Sequence, residues 1–226
     1  MINRFRRSIL LGFTGALLLS SATMRGQSPP FYLRGDAGGV LTSDTSLKEF
    51  FGEPLAPGSK ITFDPGVRIG FAAGYNVTDW FAAEAETGVM VNNIRSVTGA
   101  SRTDASFSNV PLLVNARFQC PSTKCRLTPY LGGGLGMSAA VLSIDHLDLG
   151  GTRVHGTDSD AVFAYQGFAG LRYRLNDNMG LSLEYHYFGT TAPQWRADFA
   201  RGTATDRLRF GRIETHAITV AFDWRF

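Results

Sequence analysis

The chain has 226 residues, 22 of them basic and 19 acidic, for a formal net charge of +3 at pH 7. Three of the basic residues, Arg4, Arg6 and Arg7, lie in the first 22 residues, which hold no acid, so residues 23–226 are balanced at 19 against 19. The basic surplus is therefore no argument for a nucleic-acid partner, and no motif in the chain asks for a cofactor.

Residues 1–22 read as a secretory signal peptide. The three Arg form a positive start, Ser8 to Ser20 is an apolar run, and Ser20-Ser21-Ala22 is a small-residue cleavage site. The run is shorter than the about 20 residues a membrane-spanning helix needs. Residues 23–226 then form one domain with no linker. It lacks a helical apolar period and offers eight candidate strands.

The first strand, 31–41, is Gly-rich and weakly specified. The second, 61–75, alternates Phe63, Val67, Ile69, Phe71, Ala73 and Tyr75 against Asp64, Arg68 and small residues. The third, 80–91, sets Phe81, Ala83, Ala85, Val89 and Val91 against Glu84, Glu86 and Gly88. The fourth, 108–119, sets Val110, Leu112, Val114, Ala116 and Phe118 against Asn115 and Arg117. In the fifth, 128–140, glycine is too frequent for the facing to be read. The sixth, 161–174, sets Phe163, Tyr165, Ala169, Leu171 and Tyr173 against Gln166, Arg172 and Arg174. The seventh, 180–189, sets Leu181, Leu183, Tyr185 and Tyr187 against Ser182, Glu184 and His186.

The eighth strand, 215–226, carries the clearest pattern. His216, Ile218, Val220, Phe222, Trp224 and Phe226 share one face, and Thr215, Ala217, Thr219, Ala221, Asp223 and Arg225 share the other. Its aromatics crowd toward the terminus, as where a membrane-spanning strand meets the headgroups. Connections alternate in length. Residues 75–80, 120–126 and 175–179 are short turns, whereas 42–60, 92–107, 141–160 and 190–213 are long and polar. Even strand number, alternating greasy and polar faces, and long loops on one end predict an all-β, eight-stranded antiparallel up-and-down transmembrane β-barrel in the cell outer membrane.

Several phrases carry a family resemblance: SNVPLLVNARF at 108–118, TPYLGGGLGM at 128–137, GLSLEYHYFG at 180–189 and THAITVAFDWRF at 215–226. With them the chain resembles the opacity-protein and OmpA-transmembrane-type small outer-membrane barrels over nearly its whole length after the signal. The resemblance implies an adhesin, an envelope-stabilising protein or a small channel without selecting among them. It also implies that Phe222, Trp224 and Phe226 are the signal read by the outer-membrane assembly machinery. No peptidoglycan-binding domain is expected after Phe226.

Arg or Lys facing lipid at the midplane costs about 2–4 kcal/mol, so the charged faces must line the lumen. Arg68, Glu84, Glu86, Arg117, Arg172, Glu184, His186 and Asp223 are the expected lumen charge network, with Arg174 and Arg225 beside them. Such a network either gates an ion path or makes a proton-responsive switch around Glu184 and His186, or it is a structural salt-bridge network filling a barrel too narrow to conduct; the last is the plainer reading. Asp145, His146, Asp148, His155, Asp158 and Asp160 could offer donors to a divalent cation, but without metal-ligand spacing they read as a solvated loop. His186 lacks a neighbouring Ser, and His216 has only Thr215 and Glu214 beside it, so no enzyme is expected. Cys120 and Cys125, the only two Cys, bracket a four-residue turn and are expected to form a disulfide in an oxidising periplasm.

The expected function is thus a structural or surface-interaction role, adhesin-like, through four long extracellular loops. The alternative is a narrow porin-like channel for ions or small solutes. Expected partners are outer-membrane lipid and lipopolysaccharide, the assembly machinery and an extracellular ligand, with the chain a monomer.

Overall fold

The computed structural model describes residues 30–50, 53–54, 58–121, 126–149, 152–199 and 205–226. The expected signal peptide and Cys125 lie outside them. The described residues form thirteen strands: β1 (Phe31–Thr42), β2 (Thr45–Phe50), β3 (Glu53–Pro54), β4 (Lys60–Phe63), β5 (Gly66–Asn76), β6 (Phe81–Val97) and β7 (Ala100–Gln119). There follow β8 (Leu127–Leu149), β9 (Thr152–Arg174), β10 (Met179–Thr190), β11 (Gln194–Phe199), β12 (Thr205–Phe210) and β13 (Ile213–Arg225).

Eight of them close a barrel. Its order is β1–β5–β6–β7–β8–β9–β10–β13, every pair antiparallel, and β13 returns to β1 from Tyr32↔Arg225 to Thr42↔Thr215. Closure leaves no unpaired strand edge in the lipid, where an unsatisfied backbone group would cost several kcal/mol. The short turns at 77–80 and 175–178 lie at the end that holds both Phe31 and Phe226, whose amide donates to the Phe31 carbonyl at 3.1 Å.

The outer face carries the apolar half of each alternation. Leu33, Val67, Ile69, Phe71, Leu112, Val114, Leu131, Leu183, Ile218 and Val220 are all exposed there. On β1 this face runs from Phe31 to Leu41, ten residue steps, which is about 33 Å of strand and about 25 Å of membrane at a tilt near 40°. Aromatics rim both ends. Phe31 packs with Tyr75 (ring centroids 5.0 Å) and Phe226 (6.5 Å), and Trp80 stacks on Phe118 (6.1 Å). At the far end Tyr187 packs with Tyr165 (6.2 Å) and His216 (5.4 Å).

The four segments read as long polar loops are largely strand instead. β6 to β9 run unbroken past the apolar band, and β4, β2, β12 and β11 continue β5, β1, β13 and β10 beyond short breaks at 64–65, 43–44, 211–212 and 191–193. Together they close a second antiparallel ring on top of the first, in the order β4–β6–β7–β8–β9–β11–β12–β2. Pro65 and Pro193 stand at two of the breaks, where a missing amide donor interrupts a ladder. Backbone bonds bridge them, including Ser43 N to Glu214 O (2.8 Å) and Asp64 N to Asn93 O (2.9 Å).

The loop reading failed because the polarity of the strands inverts above the membrane. On β8, Leu131, Leu135 and Met137 face out in the lower part, whereas Leu142 and Ile144 face in above. Geometric alternation continues, but the apolar residues change phase by one position. A two-residue sequence pattern is lost at that crossing even though the strand goes on.

Candidate functional site: the filled interior

The inward positions of the lower ring are polar, and they meet because the strands pair in one fixed register. All eight residues expected in the lumen, Arg68, Glu84, Glu86, Arg117, Arg172, Glu184, His186 and Asp223, are buried. Arg174 and Arg225 are half-buried on the same inward faces, toward the barrel end.

Arg117 is the centre. Its Nη1 lies 3.1 Å from Glu84 Oε1 and 3.6 Å from Asp223 Oδ1, and its guanidinium sits 3.8 Å from the centroid of the Tyr130 ring. Tyr32 donates to Glu84 Oε1 at 2.5 Å. Arg34 bridges Glu84 (3.8 Å) to Glu184, which also accepts from Tyr130 and lies 3.0 Å from His186 Nε2. A second group surrounds Arg68, whose Nε donates to Asp36 (2.8 Å) and whose Nη2 donates to Glu86 (2.5 Å). The other Glu86 oxygen accepts from Asn115 and Gln166, each at 2.6 Å. Asp223 completes the set, accepting from Ser182 at 3.0 Å with Arg172 Nε 3.4 Å away.

Sequence reasoning missed Tyr32, Arg34 and Asp36. They alternate on β1 and would have shown one polar face, had the glycines around them not blurred the strand. Tyr130 was missed for the same reason on β8. Glycine on the neighbouring β9 makes room for the network: a Cβ at Gly170 would stand 2.5 Å from the Tyr130 hydroxyl and 2.8 Å from Glu184 Cγ. Among the described residues the buried set holds four Arg and five carboxylates. A buried charge is costly unless it is paired, and here each of the nine has an ion-pair partner.

Above this layer the interior turns apolar. Val40, Met90, Leu113, Ala164, Phe188 and Ala217 form a packed tier. Next come Thr42, bonded to Asn92 (3.0 Å) and Thr215 (3.1 Å), and the Ser138–Asn109 bond at 3.3 Å. The upper ring is then filled by a larger core around Trp195, whose ring meets Phe210 (4.6 Å) and Phe107 (5.9 Å) and whose Nε1 donates to the Ala140 carbonyl at 2.7 Å. The gap left between Leu47, Ile94, Leu142 and Phe210 is about 20 Å³, room for one water.

Other expected residues fall outside this interior. Phe222, Trp224 and Phe226 are exposed on the outer wall. Cys120 is exposed beside the 120–126 turn, and its expected partner Cys125 is not among the described residues. Asp145, His146, Asp148, His155, Asp158 and Asp160 are spread along the β8–β9 hairpin. Among the described residues no three His, Cys, Asp or Glu side chains are grouped to hold a metal. His216 is on the outer face, its Nδ1 2.6 Å from the Tyr185 hydroxyl.

Over residues 11–226 the sequence matches the outer membrane protein beta-barrel domain family, and the chain belongs to that family. No curated protein matches it. Among solved structures it is similar to the outer membrane protein OprG from Pseudomonas aeruginosa, with a TM-score of 0.61 and 15% identity over 88% of this chain and 97% of that one. Neisserial surface protein A aligns with a TM-score of 0.53 and 16% identity over 87% and 97% of the two chains. The outer membrane protease OmpT from Escherichia coli aligns at 0.53 with 6% identity, over 92% and 100%. At these identities the likeness shows the fold, and the family match places the chain in the outer membrane.

Proposed function

We propose that this outer-membrane barrel is a closed structural and surface-interaction protein, whose working surface is the ring raised above the membrane. The observation that carries the reading is the filled interior. An ionic layer packed around Arg117 is followed by an apolar tier and then by the Trp195 core, so water meets no continuous polar path. A conducting barrel needs polar walls along its full length, and here they stop at Val40, Met90 and Phe188. The wall closes on itself without a free edge, which favours a monomer.

Planar-bilayer recordings of the folded protein test the proposal. The expected result is a flat trace for the wild-type chain at neutral pH. Reproducible single-channel steps would overturn it in favour of a narrow channel.

A further inference from the structure

The upper ring is not closed equally around its circumference. Above the membrane β9 is laddered to β8 from Val162↔Ser138 to Thr152↔Leu149, with one irregularity at Ile144/Leu147. Its other edge is paired to β10 as far as Ala164↔Thr190, and to β11 only at His155↔Asp198 and Val154↔Phe199. Between those points Gly156 to Val162 of β9 face Gln194 to Ala197 of β11 with no ladder among the described residues. Yet β11 is fully paired to β12, from Gln194↔Arg209 to Asp198↔Thr205. Two complete hairpins, β8–β9 and β11–β12, thus meet edge to edge across an unladdered seam.

Two bonds stand in for the missing ladder, and both come from consecutive residues of β11. Gln194 N donates to Asp160 Oδ2 at 2.8 Å, and Trp195 Nε1 donates to the Ala140 carbonyl at 2.7 Å. Asp160 and Ala140 are register partners on β9 and β8, so both bonds grip one point of the opposite hairpin. Trp195 reaches that point from inside the ring, 1% exposed, with its ring against Phe107 and Phe210. The pivot is built as well. Below, β11 and β12 join the membrane barrel through the breaks at 191–193 and 211–212, the first ending at Pro193, which has no amide to donate. At the far side β12 is held to β2 by Leu208↔Phe50, Arg209↔Glu49 and Phe210↔Leu47, with an irregularity between Arg209 and Phe210 where the strand bends. β6 to β9 have no such breaks.

We propose that the β11–β12 hairpin is a flap, latched to the continuous β6–β9 wall by Trp195 and Asp160 and opening along the β9–β11 seam. A segment with few laddered backbone bonds opens at a lower free energy than the sheet around it. Opening uncovers the β9 edge from Gly156 to Val162 and the apolar floor of Phe107, Ala140 and Val162. The ring then presents an apolar cleft where the closed form presents a polar face. The tier of Val40, Met90 and Phe188 lies below the pivot, so the membrane barrel stays shut in both states. The flap is independent of whether the interior conducts and of whether the ring meets a partner.

Hydrogen exchange of the Trp195 indole N–H, followed by NMR of the chain folded in detergent micelles, tests the flap. That proton is bonded to Ala140 inside the ring and meets water only when the latch lets go, whereas Trp80 and Trp224 are exposed on the outer wall. The wild-type rate is expected to exceed that of the β10 and β13 backbone amides by about tenfold or more. Asp160→Ala, which removes a charged acceptor, should raise it a further factor of about ten and leave the β10 and β13 amides unchanged. A lock supplies a second arm that removes neither latch bond. His155→Cys with Asp198→Cys, in a chain carrying Cys120→Ser and Cys125→Ser, sets two thiols on a facing antiparallel pair within disulfide reach. Oxidation should slow Trp195 exchange to the rate of the β10 and β13 amides, and reduction should restore it. A wild-type indole that exchanges no faster than those amides would overturn the proposal. So would a rate indifferent to the oxidised lock, or to Asp160→Ala in a folded variant.

Discussion

The two halves of this barrel share one wall and have opposite interiors. In the membrane the inside is ionic and the outside apolar; above it the inside is apolar and the outside polar. β7 shows the inversion within a single strand. Val110, Leu112 and Val114 face lipid while Asn115 and Arg117 face in, yet higher up Phe107 is buried and Ser106 and Ser108 face outward. The backbone does nothing different at the crossing. What changes is the solvent outside, and the greasy face follows whichever side is dry. The lower interior is therefore held by directional charge pairs and the upper one by packing, and the two should break differently.

The largest effect is expected at Arg117. Replacing it with Leu leaves Glu84 and Asp223 short of a counter-charge in a buried layer, a loss of about 3–5 kcal/mol. The closed, fully hydrogen-bonded barrel is expected to resist SDS and to run faster unheated than boiled; Arg117→Leu should weaken or abolish that fast band. An unchanged melting midpoint of the fast band would mean the charge layer is not what holds the lower half.

Trp195→Ala sharpens the contrast. It removes the centre of the upper core and the bond to Ala140, for a cavity cost of about 3–5 kcal/mol on a fully coupled protein. The lower ring closes without Trp195, so only part of that cost should reach global stability. Limited proteolysis should cut the β8–β9 hairpin in the variant while the fast band persists on the gel. Loss of the fast band together with the hairpin would show that the two layers fold as one unit.

The outer wall is expected to matter more for delivery than for stability. Phe226→Ala should lower outer-membrane levels a few-fold more than Phe31→Ala, although the two rings touch and both sit at the lower rim. Equal levels in quantitative immunoblots of outer-membrane fractions would remove the special role of the terminal aromatic.

The smallest effect is assigned to the Cys120–Cys125 bridge, a proposal that rests on the two Cys and an oxidising compartment. A loop of six residues gives about 2 kcal/mol at best by chain entropy. The reduced barrel should keep its fast band. Intact-mass measurement of unreduced protein should read two protons below the dithiol form, and two alkylatable thiols would refute the bridge.

Residue order alone determined much of the membrane half. A period of two is a local property, and membrane lipid leaves only one side of the wall for charge, so Arg68, Glu84, Glu86, Arg117, Arg172, Glu184, His186 and Asp223 could be assigned inward without a structure. The alternation of apolar and polar or small residues from Thr215 to Phe226 likewise marked the closing strand. Only the tertiary structure decided which of those charges meet, because Arg117 reaches Asp223 through the pairing of β13 with β1, a contact between chain ends. It alone also supplied Arg34, Asp36 and Tyr130, whose glycine neighbours erase the local pattern. The upper ring was invisible for a stronger reason. Trp195, Phe107 and Phe210 become a core only when eight strands close above the membrane, and the phase change that accompanies that closure looks, along the chain, like the end of a strand.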